Sequence, residues 1–152
     1  MGEVVSEPLS LDPVAQAVSA ARRYVRAALD GIDAGALEEC AELGVSELVT
    51  NAVLHGRTAL TVTVRRMPSG RVRIEVSDNS PVPPRQRRFD LAATTGRGLR
   101  LVDSASHDWG IEPFPPERGR GKTVWFEPRE DPTAAGFPDL AGLEDLDVSA
   151  LR

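Results

Sequence analysis

The chain has 152 residues, 41% of them hydrophobic and 27% charged, which suits one globular domain with a real core and leaves little room for a second. One cysteine, Cys40, and two histidines exclude a disulfide framework and the usual zinc spacings, and so point to a reducing interior. Of the formal net charge of −5, the segment from Pro128 onward carries −4 (two basic and six acidic residues), which leaves −1 for the body and excludes a nucleic-acid-binding field over the whole surface. The N-terminus, with Glu3 and Glu7, lacks the basic-then-apolar signature of a signal peptide, and no apolar run approaches the roughly 20 residues of a membrane span. A cytoplasmic location is expected. Val4 to Leu9 reads as a short edge strand. Leu11-Asp12-Pro13 then reads as a helix start, with Asp12 as N-cap, Pro13 at the first helical position and Leu11 as a staple. The first helix carries Val14, Val18, Ala21, Val25 and Leu29 on its buried stripe, leaves Arg22, Arg23 and Arg26 off it, and stops at Gly31. A second, longer helix spans about Ala34 to His55, with Leu37, Ala41, Val45, Leu48 and Ala52 buried and Gly56 as a stop.

Thr58 to Met67 and Arg71 to Ser77 alternate with period two around Pro68-Ser69-Gly70, which predicts a hairpin. After Asp78, three prolines (Pro81, Pro83, Pro84) and the basic cluster Arg85, Arg87 and Arg88 form a long loop of the length that usually serves function. Gly96-Arg97-Gly98 leads from it into a short helix, Leu99 to Val102. Strands near His107 to Glu112 and Thr123 to Glu127 follow, separated by a turn rich in Pro and Gly. Helices first and then strands predict an α+β fold, one layer of sheet and one of helices. The domain is expected to span residues 1–128 and an acidic tail residues 129–152, with Leu140, Leu143 and Leu146 long enough only for a short helix.

On the second helix Glu47 and Asn51 are four residues apart and share a strip that His55 continues, at the border of the buried stripe. A carboxylate and an amide at such a rim suit an oxygen-loving cation and a base for an attacking hydroxyl. Taken alone, a solvated Glu and a last-turn Asn are the usual explanation of such a pair. Asp78 ends a strand whose Val72, Ile74 and Val76 face the core, so its carboxylate emerges where ligands often sit. Gly96 and Gly98 at a helix start let backbone amides approach a phosphate. Two other motifs fail. Gly121-Lys122-Thr123 is no P-loop, because Pro116 stands at the first glycine and a strand follows, and Gly96-Arg97-Gly98 lacks the third glycine of a dinucleotide site.

In order and spacing, Glu47-Leu-Val-Thr-Asn51-Ala-Val-Leu-His55, then Val76-Ser-Asp78-Asn79, then Thr95-Gly-Arg-Gly-Leu-Arg-Leu-Val102, resemble the ATP-binding domain shared by gyrase, histidine kinases and MutL. The three segments are similar to that superfamily's N, G1 and G2 boxes, and Gly121-Lys122-Thr123-Val124 to its closing strand. The short format, Ala21-Arg22-Arg23 and Asp108-Trp109-Gly110 most resemble the anti-sigma factor serine/threonine kinase branch. The likeness spans about Leu9 to Pro128. It implies a two-layer α+β sandwich with a mixed, mainly antiparallel sheet. For the site, it implies Glu47 as general base and Asn51 as ligand of Mg²⁺. Asp78, with Asn79 beside it, would meet the adenine amino group, and Gly96, Arg97, Gly98, Leu99 and Thr123 would complete the ATP site. The partners implied are an anti-sigma factor antagonist, phosphorylated on serine or threonine, and a sigma factor. No direct nucleic-acid or membrane contact is implied, and a homodimer stays open, as does a regulatory module that holds nucleotide without catalysis. Ser80 and Val82, around Pro81, replace the two glycines that usually follow the aspartate.

Overall fold

The computed structural model describes residues 2–80 and 101–130. The predicted hairpin is present as β3 (Leu60–Arg66) and β4 (Val72–Asp78), paired in full antiparallel register from Leu60 against Asp78 to Arg66 against Val72. Its turn closes through the Gly70 amide on the Met67 carbonyl at 2.8 Å, and Gly70 takes φ 92°, a conformation that costs a residue without Cβ little. β5 (Ser106–Pro113) and β6 (Lys122–Pro128) form the second hairpin, and β6 pairs with β4. Every pairing among the described residues is antiparallel.

The predicted edge strand Val4 to Leu9 is two strands, β1 (Glu3–Val4) and β2 (Leu9–Leu11), both on β3. Pro8 lies between them and has no N–H for the ladder, which is why the edge breaks there. The first helix, α1, is Gln16–Gly31, and Asp12 does not cap it. Asp12 and Val14 instead close a tight turn, with the Val14 amide on the Asp12 carbonyl at 2.9 Å, and Val14 stays 48% exposed and off the buried stripe. From Ala17 on the predicted face holds: Val18, Ala21, Val25 and Leu29 are buried.

The second helix is three pieces. A 3₁₀ turn, Gly35–Leu37, precedes α2 (Glu38–Asn51), and a π-helical turn, Ala52–Gly56, follows it, closed by the Arg57 amide on the Ala52 carbonyl at 3.0 Å. Of the predicted stripe Ala41, Val45, Leu48 and Ala52 are buried, and Leu37 is half-buried against the same core. Both helices lie on one face of the sheet, where Leu60, Val62, Val64, Ile74, Val76, Val124 and Phe126 make the core with them. Gly44 allows the closest approach, since a Cβ there would stand 2.4 Å from the buried Phe126 ring. The opposite face is polar: Glu127 pairs with Arg73 at 2.8 Å, Glu75 with Arg65 at 3.0 Å, and the Arg73 guanidinium lies 3.8 Å from the Trp125 ring centre. Residues 101–104 are helical, and Leu101 and Ala105 pack against Cys40 and Leu43 of α2. No described helix is long and apolar enough to cross a membrane.

Candidate functional site

Two strips of α2 lead to one end of the sheet. Gly44 sits over Phe126, and Asn51, two turns later on the same strip, is half-buried. Glu47 follows Leu43 by one turn on the strip that packs against Leu101 and Ala105, and it is 8% exposed. The rim predicted for this pair is therefore real for Asn51, whereas Glu47 is buried. The π turn begins directly after Asn51. Such wide turns abandon the rotation of an α-helix and are frequent at functional sites. Here it ends the strip, and His55 is exposed instead of continuing it.

The π turn brings Gly56 onto Asp78. A Cβ at Gly56 would lie 3.2 Å from Asp78 Oδ2, so only a glycine lets the helix end rest on the carboxylate without pushing it. Asp78 ends β4, as predicted, but it does not emerge bare: it is 4% exposed. In the ladder it stands opposite Lys122, the first residue of β6, and the Lys122 ammonium donates to Oδ1 at 2.8 Å and Oδ2 at 3.0 Å. The Ser80 amide donates to Oδ1 at 2.9 Å. Gly121 seals the same corner, since a Cβ there would come within 2.4 Å of the Asp78 carbonyl oxygen.

Strand alternation corrects one predicted site residue. Thr123 is opposite Ser77 and hydrogen-bonds it at 2.7 Å, so it faces away from Asp78, on the polar face of the sheet. The β6 residue on the helix side is Lys122, in line with buried Val124 and Phe126. That alternation was available in the sequence and should have singled out Lys122. Asn79 is exposed, with its amide on Thr58 Oγ1 at 2.9 Å, beside the site but turned from the carboxylate's partners. Gly96, Arg97, Gly98 and Leu99, the loop with Arg85, Arg87 and Arg88, and the tail after Glu130 lie outside the described residues.

The described residues suit a nucleotide with Mg²⁺ at this end. Mg²⁺ keeps most of its shell as water and phosphate oxygen and takes one or two protein oxygens, which the Asn51 amide can supply. No cluster of three acidic, histidine or cysteine residues fit for a metal exists among the described residues. The hydroxyl of Thr50, next to Asn51, is buried without a hydrogen-bond partner among the described residues. A buried hydroxyl left so calls for water or a ligand group.

A family model described as the histidine kinase-like ATPase domain matches residues 10–127. The chain belongs to that family. A histidine kinase-like ATPase domain binds ATP, usually with Mg²⁺, and the two-layer α+β architecture seen here is that of the family. An uncharacterised protein of Streptomyces coelicolor is 34% identical over 92 residues, which cover 58% of this chain and 84% of that protein. No solved structure gives a significant match. In this histidine kinase-like domain the match starts within β2 and ends one residue before β6 does, so both helices and five of the six strands fall wholly or mostly inside it, and β1 precedes it.

Proposed function

We propose that this domain is an anti-sigma factor of the serine/threonine kinase kind, which binds Mg-ATP at the Asp78 end of the sheet, phosphorylates a small antagonist protein and otherwise sequesters a sigma factor. The observation that supports a nucleotide there is the buried Asp78 carboxylate under the π turn that follows Asn51. Asp78 accepts from the exocyclic amine of the base, and its carboxyl group is held in place by Lys122 and the Ser80 amide. Asn51 lends its amide oxygen to Mg²⁺. Glu47, one turn earlier, takes the proton of the serine or threonine hydroxyl. Mg-ATP, when bound, supplies the phosphoryl group and neutralises charge on it.

A second reading has one observation in its favour. Glu47 is 8% exposed, and a base shut in this far must be uncovered before a partner's hydroxyl can reach it. A module that holds nucleotide and acts only by contact fits that burial.

Two variants separate the readings. Glu47→Ala is expected to keep its Mg-ATP affinity and lose most phosphoryl transfer, by about a hundredfold or more, as general bases contribute. Asn51→Ala is expected to weaken Mg-ATP binding itself. Nucleotide titration paired with transfer of labelled γ-phosphate to the antagonist measures both. Tight binding with no transfer to a verified partner removes the kinase and leaves the binding module.

A further inference from the structure

The Lys122–Asp78 pair lies on the residue that the family reading assigns to the base, yet nothing in that reading uses the lysine. Its position is fixed by the fold. The two residues are register partners on adjacent strands, both on the helix side of the sheet, and both are buried. The carboxylate has few free sites: Lys122 Nζ touches both oxygens, the Ser80 amide takes Oδ1, and Gly56 closes on Oδ2. A group that reaches Asp78 therefore meets a carboxylate with the Lys122 ammonium directly beside it. An ammonium has three N–H donors. Two point at Asp78, and the third has no partner among the described residues.

We infer that Lys122 is a specificity-determining residue: with Asp78 it reads the base as a donor–acceptor pair and admits 6-oxo purines as well as adenine. This rests on the reading that Asp78 meets the base. A bare aspartate accepts the adenine amine and repels a 6-oxo group, because two acceptors would face each other with no proton between them. A carboxylate with an ammonium beside it offers both polarities. Adenine can give its amine to Asp78 and take a proton donor at a ring nitrogen from Lys122. Hypoxanthine, whose edge carries the reverse pattern, can take Lys122 at its 6-oxo group and give its ring N–H to Asp78. Buried and paired, the ammonium is held at the carboxylate by a low-dielectric surrounding, so it is present whichever base enters.

The test titrates ADP and IDP, each with Mg²⁺, into the full-length protein by calorimetry, and repeats both with the Lys122→Met and Lys122→Arg variants. The wild type is expected to bind the two within about tenfold of each other. Lys122→Met is expected to weaken ADP, which loses one hydrogen bond, and to weaken IDP more, because its 6-oxo group then faces the Asp78 carboxylate with no donor between them, widening the ratio by a further ten- to hundredfold, the usual cost of a buried polar group facing the wrong partner. Lys122→Arg, which keeps a charged donor, stays near the wild-type ratio. A wild-type preference for ADP well beyond tenfold overturns the inference, as does a folded Lys122→Met protein with an unchanged ratio. Circular dichroism and melting temperature show whether Lys122→Met folds, and the wild-type ratio decides alone if it does not. Failure of both nucleotides to bind the wild type is a separate result: it removes the nucleotide site itself, and the role of Lys122 with it.

Discussion

Asp78 and Lys122 stabilise each other only as a pair. Each is less than a tenth exposed, and taking either charge out of water costs several kcal/mol that the partner offsets. Removing one partner strands the other. Asp78→Ala is therefore expected to cost about 3–5 kcal/mol of stability without any ligand present, and Asp78→Ala with Lys122→Met is expected to recover much of that loss, because no buried charge then remains. Urea unfolding of the single and double variants checks this, and equal losses in both would mean that the pair is already solvated. Gly44 makes a second test at this scale. Alanine gains up to about 1 kcal/mol over glycine inside a helix. Here a Cβ would stand 2.4 Å from the Phe126 ring, which is fully buried and has nowhere to turn. Overpacking costs about 1–3 kcal/mol and wins, so Gly44→Ala is expected to lower the urea midpoint.

At the scale of elements, the parts legible in the sequence were those governed by simple periods. Val72, Ile74 and Val76 alternate and are all buried, and the Pro68-Ser69-Gly70 turn sets the hairpin register. The ends of the helices were not legible. Asp12 could cap a helix or close a turn with equal chemistry, and the fold chose the turn; the π turn after Asn51 has no periodic signal, because it is a departure from period. Thr123 has a different reason: the alternation that puts Lys122 inward is legible, and a motif outweighed it. Tyr24 shows how the broken edge is tied to α1. Its hydroxyl donates to the Ser6 carbonyl at 3.3 Å, in the gap between β1 and β2, and burial pushes its pKa above the ordinary phenol value. The unfolded chain then loses the proton first, so this contribution is whole below about pH 10 and is lost as pH rises through the raised value. Tyr24→Phe is expected to cost about 1 kcal/mol near pH 8 and less at higher pH. Denaturant unfolding at both pH values measures it, and a constant difference would show that the phenol does not titrate differently in the two states.

For the molecule as a whole, the question is where the domain ends. The helix face of the sheet is closed by α1 and α2, and the polar face is held by charge pairs between neighbouring strands, so neither face obviously requires residues beyond β6. The last tie is Arg129. Its amide donates to the Ala105 carbonyl at 2.8 Å and its Nε to the Ser106 carbonyl at 3.0 Å, which fastens the end of β6 to the start of β5 and to the segment that packs on Cys40 and Leu43. The boundary expected from the sequence at residue 128 thus falls one residue short of these bonds. A chain stopped after Glu130 is expected to keep its melting temperature and its nucleotide affinity. A chain stopped after Pro128 loses two hydrogen bonds, worth about 1 kcal/mol each, and should melt several degrees lower. The loss should reach the site as well, since residues 101–105 pack on the α2 strip that carries Glu47 one turn beyond Leu43. Thermal melts of the two truncations, with and without Mg-ATP, make the comparison. If the chain stopped after Glu130 already melts low or loses ATP, residues after Glu130 are part of the domain and the acidic segment has a structural role.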